Sequence, residues 1–437
     1  LGQGRLFMVE FVCELKILNL KFQTRWAMHK TKFHKVSIGF FLFLFLISTA
    51  AQNAHASGYA IFTQSASSLG QGAAVVSHTD SPSTIFFNPA LMNKLDGTQV
   101  EIGTTLLFPE REFTSDATGR TYKTQDDVFY PSTFYVTHQI NSVVSAGLGF
   151  FSPFGLGTDW GDTWEGRYIS TKSEMETYNI NPTVSVKVMP GLSLAAGVDI
   201  IFLNATFEKK INSGMGFDIS QKFKGDGTGV GCNFGLLYDI TKDISLGVGY
   251  RSEVKVDIDG DGSFDPQVPL FNLVDASGHT NVTLPQQIFA GVSYKGFERW
   301  VIEAGMRWED WSSFRSLNVN LDSGLDSSQP RNWKDTFAYN IGIQYKYNDT
   351  LTLRAGYLYG QNPVPDSTFD PIIPDSDTHL FSVGTGLKFG NLTVDLAYAY
   401  QLQEDRDKRN DIGAPAAANG KYTTYMNIVA ASLKYSF

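Results

Sequence analysis

The chain has 437 residues, of which 42% are hydrophobic, 14% aromatic and only 18% charged, with a formal net charge of −9. Two cysteines cannot staple a disulfide-rich domain, and beyond the first fifty-odd residues no run approaches the roughly 20 apolar residues of a membrane helix. The acidic balance, without a basic stripe, excludes a nucleic-acid partner.

Residues 1–27 read as an over-extended N-terminus, and Met28 opens a more convincing start. Lys30, Lys32 and Lys35 form a basic region, Ile38 to Ile47 an apolar core, and Ala54-His55-Ala56 a small-residue cleavage site. Residues 28–56 are therefore expected to be a secretory signal peptide. Removing the 7 basic and 2 acidic residues of 1–56 leaves 28 against 42, a net charge of −14. Cys13 falls in that leader, so Cys232 stands alone in the exported chain.

The next stretch, 57–97, is small and polar, as in Ser65-Ala66-Ser67-Ser68-Leu69-Gly70-Gln71-Gly72, and ends in Phe86-Phe87-Asn88-Pro89-Ala90. It has no period of 2 and only weak helical stripes. We read it as a hatch that plugs a barrel formed by 98–437.

From Thr98 on, apolar residues alternate with small or polar ones. Val230, Cys232, Phe234, Leu236, Tyr238 and Ile240 form one such stripe; Phe337, Tyr339, Ile341, Ile343, Tyr345 and Tyr347 form another. The opposite face is rich in Gly, Ser, Thr and Asn, where a soluble sandwich would carry Lys and Glu. This is the two-faced strand of a transmembrane β-barrel. Tight turns are expected at 141–142, 189–191, 241–243, 295–299, 348–350 and 390–391. Longer polar loops are expected near 109–127, 152–173, 208–227, 259–278, 312–334, 361–377 and 403–420. Six turns and seven loops imply an all-β fold of about fourteen antiparallel strands. Trp300, Trp308, Trp311, Tyr345 and Tyr347 are expected in interfacial girdles. The last strand closes on Phe437, the kind of aromatic end presented to the barrel-assembly machinery.

At this point the sequence resembles the FadL family of outer-membrane long-chain fatty-acid transporters, whose fold the aromatic-hydrocarbon uptake proteins share. The marks are Asn88-Pro89-Ala90, Tyr250-Arg251-Ser252-Glu253-Val254-Lys255, Leu284-Pro285, Trp311-Ser312-Ser313-Phe314, Asn362-Pro363-Val364-Pro365 and Ile373-Pro374-Asp375. The resemblance implies passive, hatch-gated uptake of a hydrophobic ligand in the outer membrane of a Gram-negative bacterium, with lateral exit into outer-membrane lipid. Long-chain fatty acids are the first expectation and monoaromatic hydrocarbons the alternative.

The resemblance also assigns roles. Phe86, Phe87, Asn88, Pro89 and Ala90 would form the gate, with a strand kink beside Asn88-Pro89-Ala90. Ser57, Gly58, Tyr59, Ile61 and Phe62 would plug an internal pocket. A break is expected at Pro153, Phe154 and Gly155, because proline lacks an amide donor and glycine weakens a ladder. Lys209 and Arg315 are the candidates to meet a ligand carboxylate, since the second basic family position falls on Asn318. Arg251, Arg307 and Arg354 should face inward and pair with Glu253, Glu303 or Glu309. Phe264, Leu270, Phe271 and Leu273 crowd an outer loop and are read as a capture patch.

Other patterns are set aside. Asp257, Asp259, Asp261 and Gly262 begin like an EF-hand, but the twelfth position is Val268. No metal, cofactor or enzymatic activity is expected. A general porin and an outer-membrane lipid hydrolase using His138 are the rivals.

Overall fold

The computed structural model describes residues 58–414 and 417–437; Ser57 and the expected leader lie outside the described residues. Among the described residues fourteen antiparallel strands form one closed sheet. They are β1 (Thr98–Ser115), β2 (Ser132–Gln139), β3 (Val144–Phe151, resuming as Gly155–Asp159), β4 (Lys172–Met189), β5 (Leu192–Asn212), β6 (Asp218–Asp239) and β7 (Ile244–Arg251 and Val254–Asp265). Then come β8 (Ala276–Leu284 and Gln287–Tyr294), β9 (Trp300–Glu309 and Ser316–Leu321), β10 (Asp326–Pro330 and Thr336–Lys346), β11 (Leu351–Gly360), β12 (Thr378–Phe389), β13 (Leu392–Gln403) and β14 (Gly420–Ser436). Each pairs with the next, and β1 closes on β14 from Gln99↔Ser436 to Ser115↔Gly420.

The period-2 pattern sets which side chains face outward. On β14, Val429, Leu433 and Tyr435 are exposed, whereas Ile428, Ala430 and Ser432 are buried. The six expected turns all fall between strands. Trp300 and Tyr345 meet at 4.4 Å beside the 295–299 turn, as an aromatic girdle requires. Trp311 departs from expectation. The helical turn Trp311–Ser313 drops it into the lumen, where it is fully buried.

Of the expected loops, 208–227 is mostly strand and 259–278 is half strand. β5 and β6 run 21 and 22 residues, about 70 Å of extended chain, against the 9–11 residues needed to cross a bilayer. The 208–227 and 259–278 segments are therefore hairpin tips standing above the apolar band. Their outward polar residues made them look like loops.

Residues 58–97 thread the lumen. Helical turns at Ala66–Leu69 and Thr84–Phe87 and a 3-10 helix at Pro89–Lys94 are its only regular pieces. Wall glycines allow its backbone to approach: a Cβ on Gly356 would lie 2.1 Å from Gly72 N, and one on Gly249 would lie 2.0 Å from Phe87 O. This accounts for the small-residue face read in the sequence.

Candidate functional site

The site begins where β3 breaks. From Phe151↔Asn179 to Gly155↔Glu176 the chain advances four residues on β3 and three on β4, so one residue bulges out of the ladder. The freed main-chain groups are satisfied from inside. Ile61 N donates to Pro153 O at 2.9 Å, Gly155 N to Tyr59 O at 2.9 Å, and Gln64 Nε2 to Ser152 O at 3.0 Å. Phe154 N is met by Thr177 Oγ1. Thus Tyr59 to Gln64 takes the place of a neighbouring strand at the break.

Position along the wall matters as well. Below the break β4 turns Tyr178, Ile180, Val184, Val186 and Val188 outward. Glu176, the partner of Gly155, is the first outward charge above them. The break therefore sits at the upper edge of the apolar band. A cleft of about 490 Å³ opens there, lined by Ile61, Leu107, Phe129, Phe150, Gly155 and Met175 among others.

Further in, Tyr59 is held in an aromatic cage. Its ring lies 4.6 Å from Trp311, 5.7 Å from Trp333 and 6.0 Å from both Phe154 and Phe314. Such pairs contribute about 0.5–1.5 kcal/mol each beyond their burial. A cavity of about 30 Å³ adjoins the ring, lined by Ala205, Phe207, Ile258, Val282, Leu317 and Ile372, with Thr280 and Arg331. Tyr59 OH, Thr280 Oγ1, Trp333 Nε1 and Arg331 Nε are buried without a hydrogen-bond partner. Unmet polar atoms of this kind cost about 1–3 kcal/mol apiece.

The N-terminal residues are tied down from above by the 361–377 segment. Gly58 N donates to Asp375 Oδ2 at 2.9 Å, and Gln403 Nε2 to Oδ1 at 3.0 Å. Asp375 is 5% exposed, and burial pushes its carboxyl up to about 7, against the opposing Gly58 hydrogen bond and the Arg406 charge.

Lower down, charged wall residues grip the segment. Glu303 accepts from Ser77 N (3.0 Å), Ser77 Oγ (2.7 Å), His78 Nδ1 (2.7 Å) and Val76 N. Arg251 donates to the carbonyls of Ile85 and Phe86, lies over the rings of Phe86 and Phe151, and pairs with Asp199. Arg354 bridges Asp80 and Asp395. Arg307 sits over Phe62 and beside Glu309. So all three arginines face inward as expected, but Arg251 and Arg354 find aspartates instead of the expected glutamates, because those partners come from distant strands and from the segment itself.

The predicted residues divide. Gly58, Tyr59, Ile61, Phe62, Pro153, Phe154 and Gly155 come together around the break. Phe86 and Phe87 are buried, and Phe86 touches Phe151 at 5.4 Å. Asn88, Pro89 and Ala90 lie elsewhere. Asn88 Nδ2 donates to Val76 O and Leu236 O, and Ala90 O accepts from Ser185 Oγ, which places them against β6 and β4. The expected adjacency of Asn88-Pro89-Ala90 to the break is therefore corrected; the Thr84–Phe87 turn separates the two. Lys209 faces the upper lumen, half-buried, without an ion-pair partner among the described residues, while Arg315 is exposed. Of the loop patch, Leu270 and Phe271 are 85% and 57% exposed, but Phe264 and Leu273 are buried. Arg331, Trp333 and Asp370 escaped the sequence reading; Asn362-Pro363-Val364-Pro365 and Ile373-Pro374-Asp375 pointed only at the segment that carries Asp370.

Comparison with known proteins bears on this arrangement. The model of the family described as outer membrane protein transport protein (OMPP1/FadL/TodX) matches residues 47–437. The long-chain fatty acid transport protein of Escherichia coli O6:H1 is 26% identical over 400 residues, covering 81% of this chain and 88% of the relative. Outer membrane protein P1 of Haemophilus influenzae strain Rd is 23% identical over 452 residues, covering 89% and 97%. A solved Pseudomonas aeruginosa FadL homologue superposes with a TM-score of 0.79 at 22% identity, over 87% of this chain and all (100%) of that one. The P. putida toluene transporter TodX gives 0.69 at 19%, over 88% and 99%.

Proposed function

The chain belongs to the OMPP1/FadL/TodX family of outer-membrane transport proteins, and from that premise we propose a hatch-gated passive channel with lateral exit. Outer-membrane transport of hydrophobic compounds follows from the family; the gate, the route and the ligand are our reading. Residues 58–97 act as the hatch. A hydrophobic molecule is captured at the exposed Leu270 and Phe271, enters the lumen, and displaces Tyr59 from its cage. Withdrawal of Tyr59 to Gln64 frees the main chain of Ser152 to Gly155, and the ligand leaves through the cleft into lipid at the upper edge of the apolar band.

The observation that carries this reading is the broken β3 ladder, whose hydrogen-bonding groups are held by the mobile candidate itself. Long-chain fatty acids are the first ligand class, in keeping with the names of the relatives at 26% identity. The ring-sized cage around Tyr59 favours a second reading, monoaromatic hydrocarbons. Lys209, facing the lumen, is the better placed of the two predicted carboxylate partners. The assembly machinery is proposed to recognise the strand ending at Phe437.

The test is uptake by cells lacking their own such transporter, with labelled oleate and labelled toluene side by side. Pro153→Thr combined with Gly155→Val should restore a continuous ladder, and a Cβ at 155 already meets Ile61 Cδ1 at 2.8 Å. Uptake should fall at least tenfold while the barrel keeps its heat-modifiable mobility on gels. Undiminished uptake by this variant would refute lateral exit at the break.

A further inference from the structure

The cavity behind Tyr59 has one charged residue in its wall, Arg331, and that charge is already balanced. Arg331 Nη1 meets Asp370 Oδ2 at 2.7 Å, with the two side chains 1% and 2% exposed. Arg331 Nη2 donates to Gln329 Oε1 at 2.9 Å, and only Nε lacks a partner. The other oxygen of Asp370 accepts Ile372 N at 3.0 Å. The remaining titratable neighbours are accounted for. Tyr59 faces Arg331, Tyr422 is near Asp370 and Glu165, and Lys408 is near Asp370 and, with a weaker effect, Asp411. The Lys408 ammonium is enclosed by the carbonyls of Asn410, Ile412 and Ala417 and by Asn419 Oδ1, away from the cavity. Lys209 follows Phe207 by two on β5 and stands at the rim, not in the wall.

A carboxylate entering this cavity would set a second anion against Arg331 beside Asp370, in surroundings of low dielectric where like charges repel strongly. An uncharged oxygen meets no such penalty and supplies the acceptor that Arg331 Nε–H lacks, while its hydrocarbon part takes the space of the Tyr59 ring. We infer that the inner site is selective for uncharged hydrophobes, with Asp370 as the specificity-determining residue: alcohols and esters bind at all pH values, and a fatty acid binds in its protonated form. The inference rests on the reading that Tyr59 yields its cage to the ligand.

Trp311 and Trp333 line the cage, so intrinsic fluorescence of the full-length barrel in detergent reports occupancy. The probes are decanol, methyl decanoate and decanoic acid, titrated between pH 4.5 and 8. The quantity read is the ratio of acid to alcohol affinity, because Asp375 acts on both alike. The ratio should fall at least tenfold between pH 4.5 and 8. Asp370→Asn should restore decanoate binding at pH 8 at least tenfold without weakening decanol. A wild-type ratio that is independent of pH overturns the inference without needing any variant, and so does an Asp370→Asn ratio equal to that of the wild type. Absence of fluorescence change with all three probes overturns the ligand reading of the cage itself.

Discussion

Replacing Asp375 by Asn probes the tie that holds the N-terminal residues shut. In the closed state the carboxyl is buried and pushed up to about 7. Once Tyr59 to Gln64 withdraws and water enters, it returns toward the ordinary carboxylate range near 4. The closed state therefore binds the proton more tightly. A carboxyl whose pKa is raised by burial gives stability that is fully present below the open-state value near 4 and is lost as pH rises toward about 7, above which both states are ionised and the loss levels off. Within that window each pH unit weakens the closed state by about 1.4 kcal/mol, or roughly tenfold in the open population. Asn keeps an oxygen for Gly58 N and cannot ionise, so it behaves as the protonated acid at every pH. Uptake of labelled toluene, which has no titration of its own, should rise about tenfold from pH 6 to 8 in the wild type. It should stay flat, well below the wild-type pH 6 level, in Asp375→Asn, which corresponds to the fully protonated limit. Gln403, Arg406, Asp377 and Arg111 are the charged or polar neighbours, and none of them accounts for a slope that vanishes in this variant. A flat wild-type profile, or a slope surviving in Asp375→Asn, would refute the reasoning.

Glu303→Ala strips the acceptor from Val76, Ser77 and His78 and leaves their buried donors unmet, at a cost of about 1–3 kcal/mol apiece. Loosening of 76–78 should appear as a raised and noisier ion conductance in planar bilayers, with the outer wall intact. Leu270→Asn with Phe271→Asn removes two exposed side chains, so thermal unfolding should shift by less than about 0.5 kcal/mol. Uptake at limiting ligand should nevertheless slow several-fold if these tips perform the capture. Phe264→Ala, by contrast, empties a buried position and should destabilise its hairpin by about 3–5 kcal/mol, seen as faster proteolysis of the 266–275 tip.

The barrel was legible because each strand carries its own signal: a period of 2 with aliphatic residues outward and small ones inward. The N-terminal segment was legible by contrast, since 57–97 lacks that period. The break at Pro153 and Gly155 announced itself through two residues unsuited to a ladder. What stayed hidden depends on which strands face one another across the lumen. Arg251 and Asp199 are on β7 and β5, and Arg354 reaches Asp80 in the segment and Asp395 on β13; spacing along the chain says nothing of these pairs. Arg331 and Asp370 come from segments that read as polar outer loops, and only the inward fold of 361–377 buries them. Trp311 misled for a related reason, because a single helical turn reverses the side it faces.

The seam between β1 and β14 has a consequence for how the molecule assembles. The segment that fills the lumen is joined directly to β1, and it also bonds β14, through Ala66 N to Ser432 Oγ and Lys434 Nζ to Asp80 O. These contacts join residues more than three hundred positions apart, so the slowest loop closure in the chain and the packing of its interior are one event. Biogenesis must hold the first strand waiting for the last, and a chain truncated before β14 has neither a wall to close nor a seat for its own beginning.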